Sequence, residues 1–92
     1  MSDTQPSPPA GLTTGRIVHF VLPEGYRRQG EHRPAIVVKV WELLMTPFLV
    51  QLVVFLDGSN DSPAALTTKW VTSVPFDASG EKPGSWHWIE RA

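Results

Sequence analysis

Turn-forming residues interrupt this sequence about every 8 to 15 residues, and the segments between them are rich in β-branched and aromatic side chains. None of these segments has the apolar spacing of an amphipathic helix. The pattern predicts five short strands, at residues 16–22, 35–41, 48–56, 69–74 and 85–89. Because closure removes exposed strand edges, we expect an all-β fold in which these strands form a small closed or half-closed barrel.

The length of the chain favours a single domain. Ninety-two residues bury only about 60 to 65% of their unfolded surface, which leaves no room for a second core. There is no cysteine, so neither a disulfide nor a thiolate metal site adds stability, and a homo-oligomer interface would help. Residues 1–13 are rich in proline and polar side chains, so we predict a disordered, flexible N-terminal arm. Residues 14–92 are predicted to form one SH3-like or OB-type β-barrel domain.

For two of the predicted strands, the sequence also predicts which face is buried and which is exposed. In residues 35–41, Lys39 marks the solvent side, so Ala35 and Val37 should share that side while Ile36 and Val38 face the core. Residues 48–56 are apolar on both faces, which is typical of a central strand that is covered on both sides.

Charge is unevenly distributed along the chain. The formal net charge of −1 excludes a uniformly basic surface, but residues 16–39 carry five basic and two acidic side chains and predict a local basic patch. The longest apolar run, residues 48–56, is far shorter than the roughly 20 residues that span a bilayer. The first residues lack the features of a secretory signal. We therefore expect no membrane segment and a cytoplasmic location.

The tripeptide His32-Arg33-Pro34 is the strongest local motif. Pro34 keeps the backbone of Arg33 extended at the start of a strand. A guanidinium held there has the geometry to bind a phosphate or a carboxylate. The segment GEHRPAIVV, preceded by GRIVHFVL, resembles the MazF/PemK toxin fold over about 25 residues. The resemblance implies an SH3-like dimer that cuts single-stranded RNA, with Arg33 in the catalytic position. However, Arg28 stands where that family has a glutamate, and Ser59 is a poor substitute for its catalytic Thr or Ser.

A broader resemblance covers about residues 15–90. The segments GRIVHF, GEHRPAIVV, FLDGSND and PGSWHWIE are similar to small uncharacterised proteins that are encoded in tailed-phage and prophage genomes. It implies a phage origin, and hence the cytoplasm of a bacterial host, without implying an activity.

Two further groups of polar residues have simpler interpretations. Residues 57–61, DGSND, lack the EF-hand pattern and are typical of a hairpin turn. His19, His32 and His87 have neither H-x-H nor H-E-x-x-H spacing. We therefore predict that these histidines pack at the ends of the barrel or bind loops, and we predict no metal and no cofactor.

Four tryptophans are more than a small core easily encloses. One or two of them should therefore lie on the surface, where an aromatic ring beside an arginine can stack on a base or on a partner side chain. The predicted binding residues are Arg28, His32, Arg33, Trp41, Trp86 and Trp88.

These features favour a non-catalytic, phage-encoded binding protein. It would dock onto a host or phage protein, such as a virion component, or onto a small anionic ligand such as a nucleotide, through the basic loop and the aromatic surface. In this interpretation Arg33 is a binding or structural residue, and no residue is catalytic. One alternative is a MazF-like endoribonuclease that is specific for single strands. The other is a virion structural or assembly protein whose Pro-rich arm becomes ordered on a neighbour.

Overall fold

A computed structural model describes residues 11–41 and 48–90. Its five strands are β1 (Ile17–Val21), β2 (His32–Val40), β3 (Val50–Phe55), β4 (Thr68–Val74) and β5 (Trp86–His87). They form one sheet in the order β4-β3-β2-β1-β5, and every pairing of neighbours is antiparallel. The described residues contain no α-helix, only a 3-10 turn at Gly58–Asn60. The predicted all-β fold of five strands is therefore confirmed, while most of the predicted arm lies outside the described residues.

The sheet is not closed into a barrel. Its edges are β4 and β5, and one isolated bridge, between Phe76 and Trp86, links the chain after β4 to β5. A longer ladder cannot form there, because β5 has only two residues and Pro75, which ends β4, has no N–H to donate. The predicted closure is thus corrected, and the SH3-like arrangement stays a prediction.

The core lies on one face of the sheet. Trp86 is its largest fully buried side chain, and its indole N–H donates a hydrogen bond to the carbonyl oxygen of Phe48 over 2.7 Å. Apolar side chains from β1 to β4 complete the core: Val18, Phe20, Ala35, Val37, Val50, Leu52, Val54 and Val74. The residues from β1, β2 and β3 alternate along each strand, as the two-residue period of a strand requires, and β4 supplies Val74 alone.

The predicted faces of β2 are wrong over most of the strand. Ala35 and Val37 are fully buried, while Ile36 is half-buried and Val38 is exposed. The cause is a β-bulge between Val37 and Lys39, where the pairing with β3 shifts by one residue. An extra residue reverses the alternation of side chains. Lys39 therefore points to solvent even though Ala35 and Val37 point to the core.

The outer face of the sheet is only partly covered. A cross-strand row of apolar residues runs through Ile17, Ile36, Val53 and Trp70, and the two end residues are about half exposed. Phe55 on the same face is 40% exposed, so the prediction that residues 48–56 are covered on both sides is wrong at its end. Within the described residues, no helix is long and apolar enough to cross a membrane.

A candidate metal centre of three histidines and a glutamate

Strand register brings the three histidines together. His19 in β1 is directly opposite His87 in β5. His32, the first residue of β2, is opposite Val21, which lies two residues along β1 from His19. Residues that are opposite or two positions apart share a face of the sheet. The three imidazoles therefore lie on the outer face, at the end of the sheet where β2 begins.

Glu90 completes the cluster from the segment that follows β5. Its Oε1 lies 2.5 Å from Nδ1 of His19, and its Oε2 lies 2.5 Å from Nδ1 of His32. The same Oε2 also contacts Nε2 of His87. One nitrogen of each imidazole and one carboxylate oxygen all lie within 4.8 Å of one another. The rings are close as well, with centroids of His32 and His87 4.6 Å apart.

The cluster is buried on the side of His87 and exposed on the side of Glu90. The side chain of His87 is only 5% exposed, whereas that of Glu90 is 44% exposed and those of His19 and His32 are intermediate. Gly80 lies against the ring of His87, so closely that a Cβ atom there would be 3.2 Å from Nε2 and Cε1. The cluster is thus accessible to an ion or a small molecule from the side of Glu90.

The loop that carries Gly80 is held by Asp77. The Asp77 carboxylate accepts hydrogen bonds from the backbone N–H groups of Ser79 and Lys82 and from the hydroxyl of Ser79. These bonds, of which the one from Lys82 has the largest effect, hold the pKa of Asp77 below its usual value. The loop is therefore fixed by local contacts beside the cluster.

One nitrogen of the cluster is left without a partner. Nδ1 of His87 is buried and makes no hydrogen bond to any part of the chain that the structure describes. An unpaired buried polar group costs about 1 to 3 kcal/mol, so such groups are rare and are concentrated at functional sites. The cluster engages His87 through Nε2, so an ion bound there would leave Nδ1 unchanged, and the metal site does not account for this cost.

The carboxylate of Glu90 is ionised at neutral pH. Burial by itself would raise its pKa, but hydrogen bonds with His19 and His87 outweigh that effect and lower the pKa to about 2. The cluster thus offers one negative oxygen ligand and three imidazole nitrogens. This donor set suits zinc and its neighbours in the first transition series.

No family model, curated protein or solved structure matches this chain. The resemblances to MazF/PemK toxins and to phage proteins therefore stay predictions. The function must be inferred from the geometry of the chain itself.

Arg33, the leading candidate from the sequence, is engaged inside the protein. Its Nε and Nη2 each lie 2.6 Å from one oxygen of Asp61, and Nη2 also reaches Glu31 over 3.0 Å. Its Nη1 donates to the carbonyl oxygen of His32. The Asp61 carboxylate is fully buried, and the paired guanidinium holds its pKa below the usual range. In this conformation Arg33 joins β2 to the turn at residues 57–61.

The other predicted binding residues are spread over the molecule. Trp86 is in the core, and Trp88 packs edge-on against it with ring centroids 5.2 Å apart. Trp41 follows the end of β2 that is remote from His32 and donates its indole N–H to Gln51. Arg28 is exposed on the loop before β2. Of the predicted residues, His32 alone belongs to the histidine cluster.

Sequence reasoning missed His19, His87 and Glu90 as site residues. A motif search tests spacing along one strand, whereas this cluster draws one residue from each of three strands. The usable signal was one histidine in each of the first and last predicted strands and another in the loop shortly before the second, with Glu90 three residues after His87.

Proposed function

We propose that the protein is a metal-binding protein that holds one divalent transition-metal ion, zinc in the first place, between His19, His32, His87 and Glu90. The observation that carries this proposal is the convergence of four ligand atoms within 4.8 Å. The ligands come from three strands and a following segment, so their meeting is a product of the tertiary fold. A structural or a catalytic zinc site uses three or four protein ligands of these kinds.

The ligand types select the class of ion. Magnesium and calcium prefer sites built from oxygen atoms, and this site offers three nitrogens. Neutral imidazole binds Zn²⁺, Cu²⁺, Ni²⁺ and Fe²⁺ well, and the chain contains no thiolate that would favour Cu⁺ or an iron–sulfur cluster. Zinc tolerates adjustable four-coordinate geometry and has no redox chemistry. We therefore take it as the reference ion.

The required adjustment is small. In a tetrahedral site with bonds of about 2.0 to 2.2 Å, neighbouring ligand atoms are about 3.4 Å apart. In the structure, Oε1 of Glu90 lies 2.5 Å from His19 and Oε2 lies 2.5 Å from His32, while one ligand atom from each of the four residues lies within 4.8 Å of the others. Side-chain rotations that displace the ligand atoms by about an ångström would bring all four atoms to that spacing. The backbone ladders that hold the histidines need not change.

This proposal keeps the predicted class, a protein that acts by binding, and moves the site from the basic loop to the histidine cluster. Arg33 is engaged with Asp61 in the structure, and an anion site at that residue and the MazF-like endoribonuclease stay predictions. Docking to a host or phage protein, assembly into a virion, a phage origin and a homo-oligomer stay predictions. The partly exposed apolar row on the outer face is a surface where a protein partner could dock.

Isothermal titration calorimetry with zinc tests the metal site. We expect the metal-free wild type to bind one zinc ion per chain. The variant His32→Ala should bind at least about 100-fold more weakly, because it loses one of the ligands. Glu81→Gln, which alters an exposed acid outside the cluster, is the matched control and should bind like the wild type. Absence of zinc binding by the wild type, or equal binding by His32→Ala, would refute the proposal.

A further inference from the structure

The carboxylate of Glu90 occupies the centre of the histidine cluster, where a bound ion would lie. We infer that Glu90 is an exchangeable ligand: it fills the three-histidine site in the metal-free protein, and once metal is bound it shares one coordination position with small external anions. This inference rests on the proposed metal site. It goes further by naming which ligand leaves and which class of molecule replaces it.

The first step of the argument is the position of one oxygen atom. Oε2 of Glu90 is 2.5 Å from Nδ1 of His32 and also contacts Nε2 of His87. A zinc ion would have to lie about 2.0 to 2.1 Å from the same two nitrogens. An oxygen atom and a metal ion cannot share that space. Metal binding therefore requires the carboxylate to withdraw by about an ångström or more.

The second step is that Glu90 alone among the four ligands lies away from the strands. His19 and His87 are paired with each other in the β1–β5 ladder, and His32 is paired with Val21 in the β1–β2 ladder. The three residues from Trp88 to Glu90 belong to no strand. The backbone of Glu90 can therefore move without breaking a ladder hydrogen bond, whereas the backbones of the three histidines cannot.

The third step concerns access and charge. Glu90 has the most exposed side chain of the four, and His19 and His32 beside it are also partly exposed. A zinc ion on three neutral imidazoles carries a charge of +2, and the bound Glu90 carboxylate reduces it to +1. A small anion from solvent can supply the same neutralising charge. Carboxylates and oxyanions approaching through this opening should thus compete directly with Glu90.

Cobalt titrations of the wild type and of Glu90→Ala test the exchange, because bound Co²⁺ has visible absorption bands that report its ligands. Azide is the probe anion. We expect Glu90→Ala to bind one Co²⁺ through the three histidines, within about 100-fold of the wild-type affinity. We also expect azide to change the cobalt bands of both proteins, with a midpoint concentration at least about tenfold lower in Glu90→Ala, since the internal competitor is gone.

The possible outcomes separate this inference from the proposed function. If the wild type binds no cobalt, both are refuted. If the wild type binds cobalt but a folded Glu90→Ala loses it as completely as His32→Ala does, Glu90 is an obligatory ligand and the exchange is refuted. The exchange is also refuted if azide acts equally on the two proteins or on neither. Glu90→Gln, which preserves the size of the side chain, should resemble Glu90→Ala in its azide midpoint, and Glu81→Gln should resemble the wild type.

Discussion

Asp61 shows how a residue predicted to lie in a simple turn can hold two parts of the chain together. Its carboxylate is fully buried and accepts the bidentate pair from Arg33 together with the backbone N–H of Asp57. Removing one member of a buried pair leaves the other charge poorly compensated. We predict that Asp61→Asn lowers the free energy of unfolding by about 2 to 4 kcal/mol in urea titrations. This loss is smaller than the usual loss for a fully buried ion pair, because Arg33 is partly exposed.

The control for this prediction is Glu31→Gln. Glu31 also contacts Arg33, but it is exposed, so its loss should cost less than about 1 kcal/mol. The pH dependence gives a second check. The pKa of Asp61 is lowered in the folded protein, so its contribution is complete above the ordinary aspartate pKa and is lost as the pH falls below about 4. Asp61→Asn should therefore reduce the acid sensitivity of stability. Equal losses in the two variants would contradict the structural role.

The loop between β4 and β5 contacts the cluster through Gly80, which has a φ of +71° and lies against His87. We predict that Gly80→Ala weakens zinc binding about tenfold or more, because the new Cβ would push the imidazole from its position. Gly25→Ala is a close control, since Gly25 also has a positive φ but a Cβ atom added there would have no neighbour within 4 Å. Both variants should lose about 1 kcal/mol of stability through backbone strain. If both bind zinc equally well, Gly80 does not position His87.

At the level of strands, the sequence predicts where the strands lie but not the register in which they pair. The β-branched and aromatic segments located all five strands, although β5 is shorter than predicted and β2 begins earlier. The bulge in β2 was not predictable from alternation, because Lys39 correctly marked solvent for itself and incorrectly for Ala35 and Val37. A one-residue shift of register reverses every side chain beyond it. Local propensity carries no information on such a shift.

The candidate site was hidden from the sequence for the same reason. His19 and His87 are separated by most of the domain, and only the β1–β5 register puts them opposite each other. The basic segment, in contrast, was conspicuous in the sequence, yet its central Arg33 is paired with Asp61, a residue whose sequence context is typical of a turn. Partners that are distant in sequence decided which polar residues remain available.

For the molecule as a whole, the cluster joins β1, β2, β5 and the segment that follows β5 at one end of an open sheet. A chain of this length without cysteine has a modest core, and a bound metal would add a covalent-like tie between these elements. Because the ion binds the folded state, zinc at 100 times its dissociation constant would stabilise the protein by about 2.7 kcal/mol. The β1–β5 ladder, which has only two residue pairs, is the part of the sheet that would gain most.

X-ray absorption spectroscopy of the zinc-loaded wild type is the most direct test of the metal site, because it reports the atoms bound to the ion. We predict a first shell of about three imidazole nitrogens and one oxygen at roughly 2.0 to 2.2 Å, with the outer-shell pattern typical of imidazole. The variant His32→Ala should show one imidazole fewer. A shell made only of oxygen atoms, or one that is unchanged in His32→Ala, would contradict the assignment of the ion to this cluster.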